Sequence, residues 1–175
     1  MPVYLNEAEV GTDHDLLGFP QAPHSLGIVA MTAEALFGVN LDTAAPATRD
    51  GAVLALRDFM GKHRAGPILA LYGSCNHAGR YADTANRLAA WQAEMQDVAA
   101  LLGAWHGPAH GCNTAFIEPR DGTTIEYRPD YGAGTCQIHY RRSAADPAGQ
   151  GANQGANQGQ LHEIDTATRL LAFEV

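Results

Sequence analysis

A change in the spacing of apolar residues near Gly111 constrains this chain more than any other feature of its sequence. Before Gly111, the apolar residues of several segments recur every three or four positions, which is the period of one face of an α-helix. After Gly111 they recur every second position, which is the period of a β-strand. Helices followed by strands are typical of an α+β fold. We therefore predict a helical part over about 24–103 and a β-meander over about 113–175.

Three segments have a helical apolar period followed by a glycine at the position where helices commonly end. They span about 25–37, 48–60 and 84–102. The third is the most regular, and its apolar stripe consists of Leu88, Trp91, Met95, Val98 and Leu102. A stripe of this kind indicates a helix with one side packed against the core.

Short apolar or alternating segments predict the strands. The run 67–72 is apolar without alternation, which is typical of a strand buried on both faces, so we place it centrally in the sheet. Alternation or turn signals predict further strands at 3–5, 114–118, 123–128, 135–141, 161–165 and 170–175, with a hairpin turn at 121–122. We expect the three helices to pack on one face of an antiparallel sheet.

The segment 143–160 contains two tandem Gly-Ala-Asn-Gln repeats and no large apolar residue. Because it can bury little apolar surface, it cannot offset the entropy lost on ordering, and we predict a mobile loop. The segment is too short and too near the end of the chain to separate two domains. A length of 175 residues suits one domain. We expect residues 1–175 to form a single α+β domain.

The net charge and the number of cysteines limit which partners the protein can bind and which cellular compartment it suits. A net charge of -8 argues against a nucleic-acid partner, and the closest approach to a basic patch is the pair Arg141 and Arg142. The sequence has no apolar run long enough to span a membrane and no positively charged, apolar leader. An odd number of cysteines suits a reducing compartment. We expect a soluble cytoplasmic protein, or one exported without an N-terminal signal peptide as a secreted effector or antigen.

Cys75 is the strongest candidate for catalysis because it follows the run 67–72 through a Gly-Ser turn and precedes the long helix. Such a turn exposes a side chain at the end of a sheet, where helix-start amides lower the pKa of a thiol. His139 as base, followed by Asp165 or Glu163, completes a nucleophilic arrangement along the chain. Papain-like cysteine hydrolases and deamidases have the same order, and the arrangement resembles theirs in order alone. The competing interpretation of Cys75 is a small core residue.

Two histidines and a thiol, His106, His110 and Cys112, lie within seven positions. Nitrogen and sulfur ligands of this kind bind Zn²⁺, and Cys75 and His77 are candidate remote ligands. A Gly-Pro pair separates the two histidines, so their spacing does not place both rings on one helical face. We favour a loop without a metal, and we expect no cofactor.

Other catalytic and binding signatures are absent from the sequence, including a Gly-rich phosphate loop, a Gly-x-Ser-x-Gly motif and a zinc-protease histidine motif. We therefore favour a non-catalytic interaction or accessory protein that binds a protein partner or forms a homodimer. The alternative is a thiol-dependent hydrolase or deamidase that uses Cys75, His139 and either Asp165 or Glu163.

Overall fold

The computed structural model describes residues 1–20, 26–41, 46–103, 105, 107–117, 123–142, 161–163 and 170–174. Within these residues the chain has an α+β fold, as the sequence predicts. Three layers are stacked in the order helices, six-stranded sheet and five-stranded sheet. None of the helices in this part of the chain is both long and apolar enough to cross a membrane.

The strands form two mixed sheets rather than the one antiparallel sheet that the sequence predicts. The five-stranded sheet has the order β1 (Val3–Tyr4), β3 (Leu17–Pro20), β8 (Thr123–Asp130), β9 (Thr135–Arg142) and β10 (Leu161–Glu163). The six-stranded sheet has the order β11 (Leu170–Glu174), β7 (Pro108–Asn113), β6 (Ala70–Cys75), β4 (Leu26–Met31), β5 (Leu36–Leu41) and β2 (Val10–Asp13). Strands β1 and β3 are parallel, as are β6 and β7.

The helices are α1 (Pro46–Lys62), α2 (His77–Arg80) and α3 (Arg87–Leu101). Helices α1 and α3 confirm the second and third predicted helices, and the side chain of Asn86 caps α3 by accepting a hydrogen bond from the Ala89 amide. One core lies between the helices and the six-stranded sheet, and it includes Leu56, Leu71, Trp91 and Met95. The second core lies between the two sheets, so the six-stranded sheet is covered on both faces.

The predicted helix over 25–37 is wrong, because its described residues form β4 and the start of β5, a pair of antiparallel strands. Every residue of β4 and β5 is buried, since one face packs against α1 and the other against the five-stranded sheet. A strand buried on both faces is apolar on both sides and loses the alternation that distinguishes it from a helix. Thr32 lies in the turn between β4 and β5, and its hydroxyl oxygen accepts a hydrogen bond from the Ala35 amide at 3.1 Å.

The predicted strand 114–118 is also wrong, because its described part is a single 3-10 turn at Thr114–Phe116. The side chain of Asn113 accepts a hydrogen bond from the Ala115 amide and starts this turn, while the strand itself, β7, comes earlier. The predicted strand 67–72 is confirmed as the central strand β6, shifted to Ala70–Cys75. Residues 121–122 and the segment 143–160 lie outside the described residues.

Candidate functional site

Cys75 is the last residue of β6, and its side chain is fully buried among the residues that join the six-stranded sheet to the helices. Gly73 and Ser74 belong to the strand and do not form a turn, and Gly73 lacks a side chain where Met95 packs against it. Burial raises the pKa of the Cys75 thiol to about 12, although the positive charge of Arg80 opposes the shift. In this structure Cys75 therefore has the environment of a core residue and not of an activated nucleophile.

A buried carboxylate organises the residues next to Cys75. The Oε1 atom of Glu94 accepts hydrogen bonds from Arg80 Nε at 2.6 Å and from the Tyr81 hydroxyl at 2.7 Å. Its Oε2 atom accepts one from Arg80 Nη2 at 3.0 Å and one from Arg49 Nη1 at 3.2 Å. Burial alone would raise the pKa of Glu94, but the hydrogen bonds from Arg80, Tyr81 and Arg49 and the charge of Arg80 lower it. The cluster ties α1, α2 and α3 together, and its charges are satisfied internally.

His77 begins α2 and is also buried, with its ring stacked on that of Trp91 at a centroid distance of 5.9 Å. Burial lowers the pKa of His77 to about 4, although the charge of Glu94 opposes the shift. The imidazole is therefore neutral near pH 7. The backbone N–H of His77 donates to the side-chain oxygen of Asn113 at 3.2 Å, which joins the ends of the parallel strands β6 and β7.

His139 lies on β9, on the face of the five-stranded sheet that points away from the second core. Its cross-strand neighbours are Glu126 on β8 and Glu163 on β10. Glu126 is fully buried and accepts hydrogen bonds from the Tyr4 hydroxyl at 2.8 Å and from Arg128 at 3.0 Å. Burial lowers the pKa of His139, and the charge of Arg128 lowers it further.

The structure does not bring Cys75 and His139 together. Cys75 lies on the helix side of the six-stranded sheet, whereas His139 lies on the outer side of the five-stranded sheet. The six-stranded sheet and the core between the two sheets separate them. Glu163 is exposed beside His139, and Asp165 lies outside the described residues.

Two of the candidate zinc ligands, Cys75 and Cys112, also lie on different faces of the six-stranded sheet. His110 and Cys112 lie two positions apart on β7, where the ring of His110 stacks on that of Tyr72 at 4.8 Å. Cys112 is buried in the core between the sheets, on the opposite side of the six-stranded sheet from Cys75. Among the described residues, no three His, Cys, Asp or Glu side chains form a group that could hold a metal ion. His106 lies outside the described residues.

An open groove of about 320 Å³ lies where α1 and α3 end, and we call it the helix-end groove. Its apolar walls are formed by Met60, Ala65, Pro67, Ile68, Leu102 and Trp105. The indole Nε1 of Trp105 donates a hydrogen bond to the Ile68 carbonyl at 2.9 Å, which fixes the orientation of the ring. Among these wall residues Pro67 is exposed, while Ile68 and Trp105 are half-buried.

The end of α1 shapes one wall of the groove. Arg64 has a φ of 52°, in the left-handed region, just after α1 ends. The Ala65 amide donates to the Met60 carbonyl at 3.0 Å and the Arg64 amide donates to the Gly61 carbonyl at 3.1 Å. These two hydrogen bonds form a Schellman motif, which satisfies helix-end carbonyls and brings Met60 and Ala65 into the same wall.

Three basic residues, Arg57, Lys62 and Arg64, lie close together in the sequence at the end of α1. Arg57 lines the helix-end groove, and the exposed Lys62 and Arg64 each lie next to a lining residue in the chain. The segment 57–66 holds one acidic residue, Asp58, in a chain whose net charge is -8. The groove therefore has one basic lining residue, Arg57, and the chain at the end of α1 carries a local excess of positive charge.

The sequence analysis missed this groove, because it assigned the apolar wall residues to helix stripes and to the start of a strand. The basic residues carried a signal that was available: Arg57, Lys62 and Arg64 are three of the chain's 11 Lys and Arg residues, within eight positions. No known protein-family model matches this chain, and no curated protein is significantly similar to it in sequence.

Proposed function

We propose that this protein is a non-catalytic interaction domain that binds a segment of a partner protein in the helix-end groove. The observation that carries the proposal is the groove itself: a concave, mainly apolar surface that is open to solvent and backed by two helix ends. Concave apolar surfaces edged by polar groups are the usual sites at which proteins bind ligands and peptides. Recognition of an apolar side chain in such a groove is a recurrent mode of peptide binding.

The described ionisable clusters support a binding role rather than a catalytic one. Glu94 is held by two arginines and a tyrosine, and Glu126 by Tyr4 and Arg128, so both carboxylates have hydrogen-bond donors within the protein. A general base needs a free lone pair and a pKa near the working pH. Neither cluster lines the helix-end groove.

The size of the groove sets the expected affinity. Burial of one large apolar side chain contributes roughly 2–3 kcal/mol, and hydrogen bonds with the edge of the groove add to this. Association also costs translational and rotational freedom. We therefore expect dissociation constants between about 1 μM and 1 mM, which is typical of transient peptide recognition.

Two glycines of α1 provide a matched test of the proposal. A Cβ atom added at Gly61, which lines the groove, or at Gly51, which does not, would have no neighbouring side chain or strand within 4 Å, so a larger side chain can leave the helix without a clash at its base. Both Gly61→Trp and Gly51→Trp should therefore fold, and their melting temperatures should match or exceed that of the wild type because glycine disfavours helices.

Peptides selected against the wild-type protein from a random library on multivalent phage provide the probe. We expect Gly61→Trp to weaken the binding of these peptides at least tenfold in calorimetry, and Gly51→Trp to leave it unchanged. The proposal is overturned if the library yields no binders, or if the selected peptides bind both variants as well as the wild type.

A further inference from the structure

We infer that the partner segment is acidic and inserts one large apolar side chain into the helix-end groove, an inference that rests on the proposed function. The volume of the groove, about 320 Å³, lies at the lower end of the range for ligand sites. A groove of this size accommodates one large side chain and not the whole face of a helix. The apolar walls therefore define an anchor position within a longer bound segment.

The charges beside the groove determine what should flank that anchor. Arg57 lines the groove, and its Nη1 atom donates to the Leu101 carbonyl at 3.4 Å. Within the described residues this is the one hydrogen bond of Arg57 that the structure shows, and a guanidinium has five N–H donors. The remaining donors can form the paired, charge-assisted hydrogen bonds that arginine makes with a carboxylate.

Negative groups near the groove oppose this attraction but do not cancel it. The C-terminal ends of α1 and α3 each carry about half of a negative elementary charge, and Asp58 adds one full charge. Arg57, Lys62 and Arg64 carry three full positive charges, so the positive charge is larger. Because the chain as a whole has a net charge of -8, the rest of its surface repels acidic molecules and confines their binding to this region.

The contrast between the positive charge at the end of α1 and the net negative charge of the chain favours an acidic protein segment over an anionic membrane. A flat anionic surface would meet the acidic remainder of the chain as well as the groove, whereas a short peptide meets only the groove and its edge. Three exposed basic residues are also fewer than the clusters of four to eight that are typical of lipid-binding segments. We therefore assign the groove to a peptide.

Three fluorescein-labelled peptides test the inference by anisotropy. The first is Glu-Asp-Trp-Asp-Glu, the second replaces its acids with amides (Gln-Asn-Trp-Asn-Gln), and the third replaces its anchor (Glu-Asp-Ala-Asp-Glu). We expect the first peptide to bind at least tenfold more tightly than either of the others. We also expect its affinity to fall steeply with added salt, because the charges that attract it are exposed.

Variants that remove a positive charge test whether the basic residues at the end of α1 cause the preference for the acidic peptide. The double variant Arg57→Gln and Arg64→Gln should bind the acidic peptide at least tenfold more weakly than the wild type does. Its affinity for the amide peptide should be unchanged. The control is Arg87→Gln at the other end of α3, where the residue is also exposed, and it should change neither affinity. Equal binding of the first two peptides, with both blocked by Gly61→Trp, overturns the acidic preference and leaves the proposed function intact.

Two further outcomes separate the inference from the proposed function. If the library-selected peptides bind in the groove but none of the three designed peptides binds, the inference fails alone. If phosphatidylserine vesicles bind the wild type and Gly61→Trp abolishes that binding, the occupant is a lipid and the inference is overturned. We expect no sedimentation of the protein with such vesicles.

Discussion

The indole of Trp105 is hydrogen-bonded to the backbone carbonyl of Ile68 at 2.9 Å, which joins the chain after α3 to the chain before β6. This contact closes one wall of the helix-end groove. Both residues are half-buried, so this hydrogen bond and the packing around it hold the wall.

Replacement of Trp105 by Phe tests that wall. The variant Trp105→Phe keeps an aromatic ring but removes the donor, and it leaves the Ile68 carbonyl without this partner. We expect a loss of about 1–2 kcal/mol in the free energy of unfolding, and weaker peptide binding. Urea unfolding with an unchanged m-value measures the loss, and an unaltered midpoint would show that the hydrogen bond does not hold the wall.

The buried carboxylate of Glu94 should matter far more to stability than its exposed neighbour. Glu94→Gln leaves Arg80 and Arg49 without their buried charge partner, and we expect a loss of about 3–5 kcal/mol. Asp97, whose side chain is 64% exposed, pairs with the same Arg49 at 3.4 Å. Asp97→Asn should therefore cost less than about 1 kcal/mol. Equal losses for the two variants in chemical denaturation would contradict this assignment.

The pH dependence of stability should show the burial of His77. The pKa of His77 is lowered to about 4 in the folded protein by burial, compared with the ordinary value of 6.5. A base with a lowered folded-state pKa contributes full stability above pH 6.5, and this contribution is lost as the pH falls from 6.5 to about 4. We expect the imidazole resonances of His77 to titrate near pH 4 in NMR spectra. A midpoint near 6.5 would mean that the ring is hydrated in solution.

Cys75 should react slowly with alkylating reagents in the native protein. A thiol with a pKa of about 12 has a thiolate fraction on the order of 10⁻⁵ at pH 7. We expect Cys75 to be alkylated by iodoacetamide no faster than Cys136, whose pKa burial also raises to about 12. In urea both should react at the rate of a free cysteine. Selective, rapid modification of Cys75 in the native state, measured by peptide mass spectrometry, would revive the thiol-hydrolase hypothesis.

Local sequence patterns predicted the elements that have one buried face. Helix α3 shows its apolar stripe because only one of its sides packs against the sheet; Trp91, Met95 and Val98 of the predicted stripe are buried, whereas Leu88 is exposed. Strand β9 alternates for the same reason, since Ile138 points into the core between the sheets and His139 points away from it. In these elements the period of the sequence and the period of burial coincide.

The same reasoning failed for β4 and β5, and for the site that was inferred from the order of residues. Strands covered on both faces carry no alternation, so 25–37 was assigned to a helix. The order Cys75, His139, Glu163 says nothing of which sheet or face each residue occupies. The stacking of two sheets, which the sequence analysis did not predict, placed Cys75 and His139 on opposite sides of a core.

The sequence by itself determined the α+β class, helices α1 and α3, and the central position of the strand that includes Leu71, because these depend on local periods and on burial. Only the tertiary structure decided which residues share a surface. Met60 and Trp105 are 45 positions apart in the chain and line the same groove because α1 and α3 pack side by side and end at the same level. The meeting of two helix ends depends on how the helices pack on a sheet, and no local pattern encodes that.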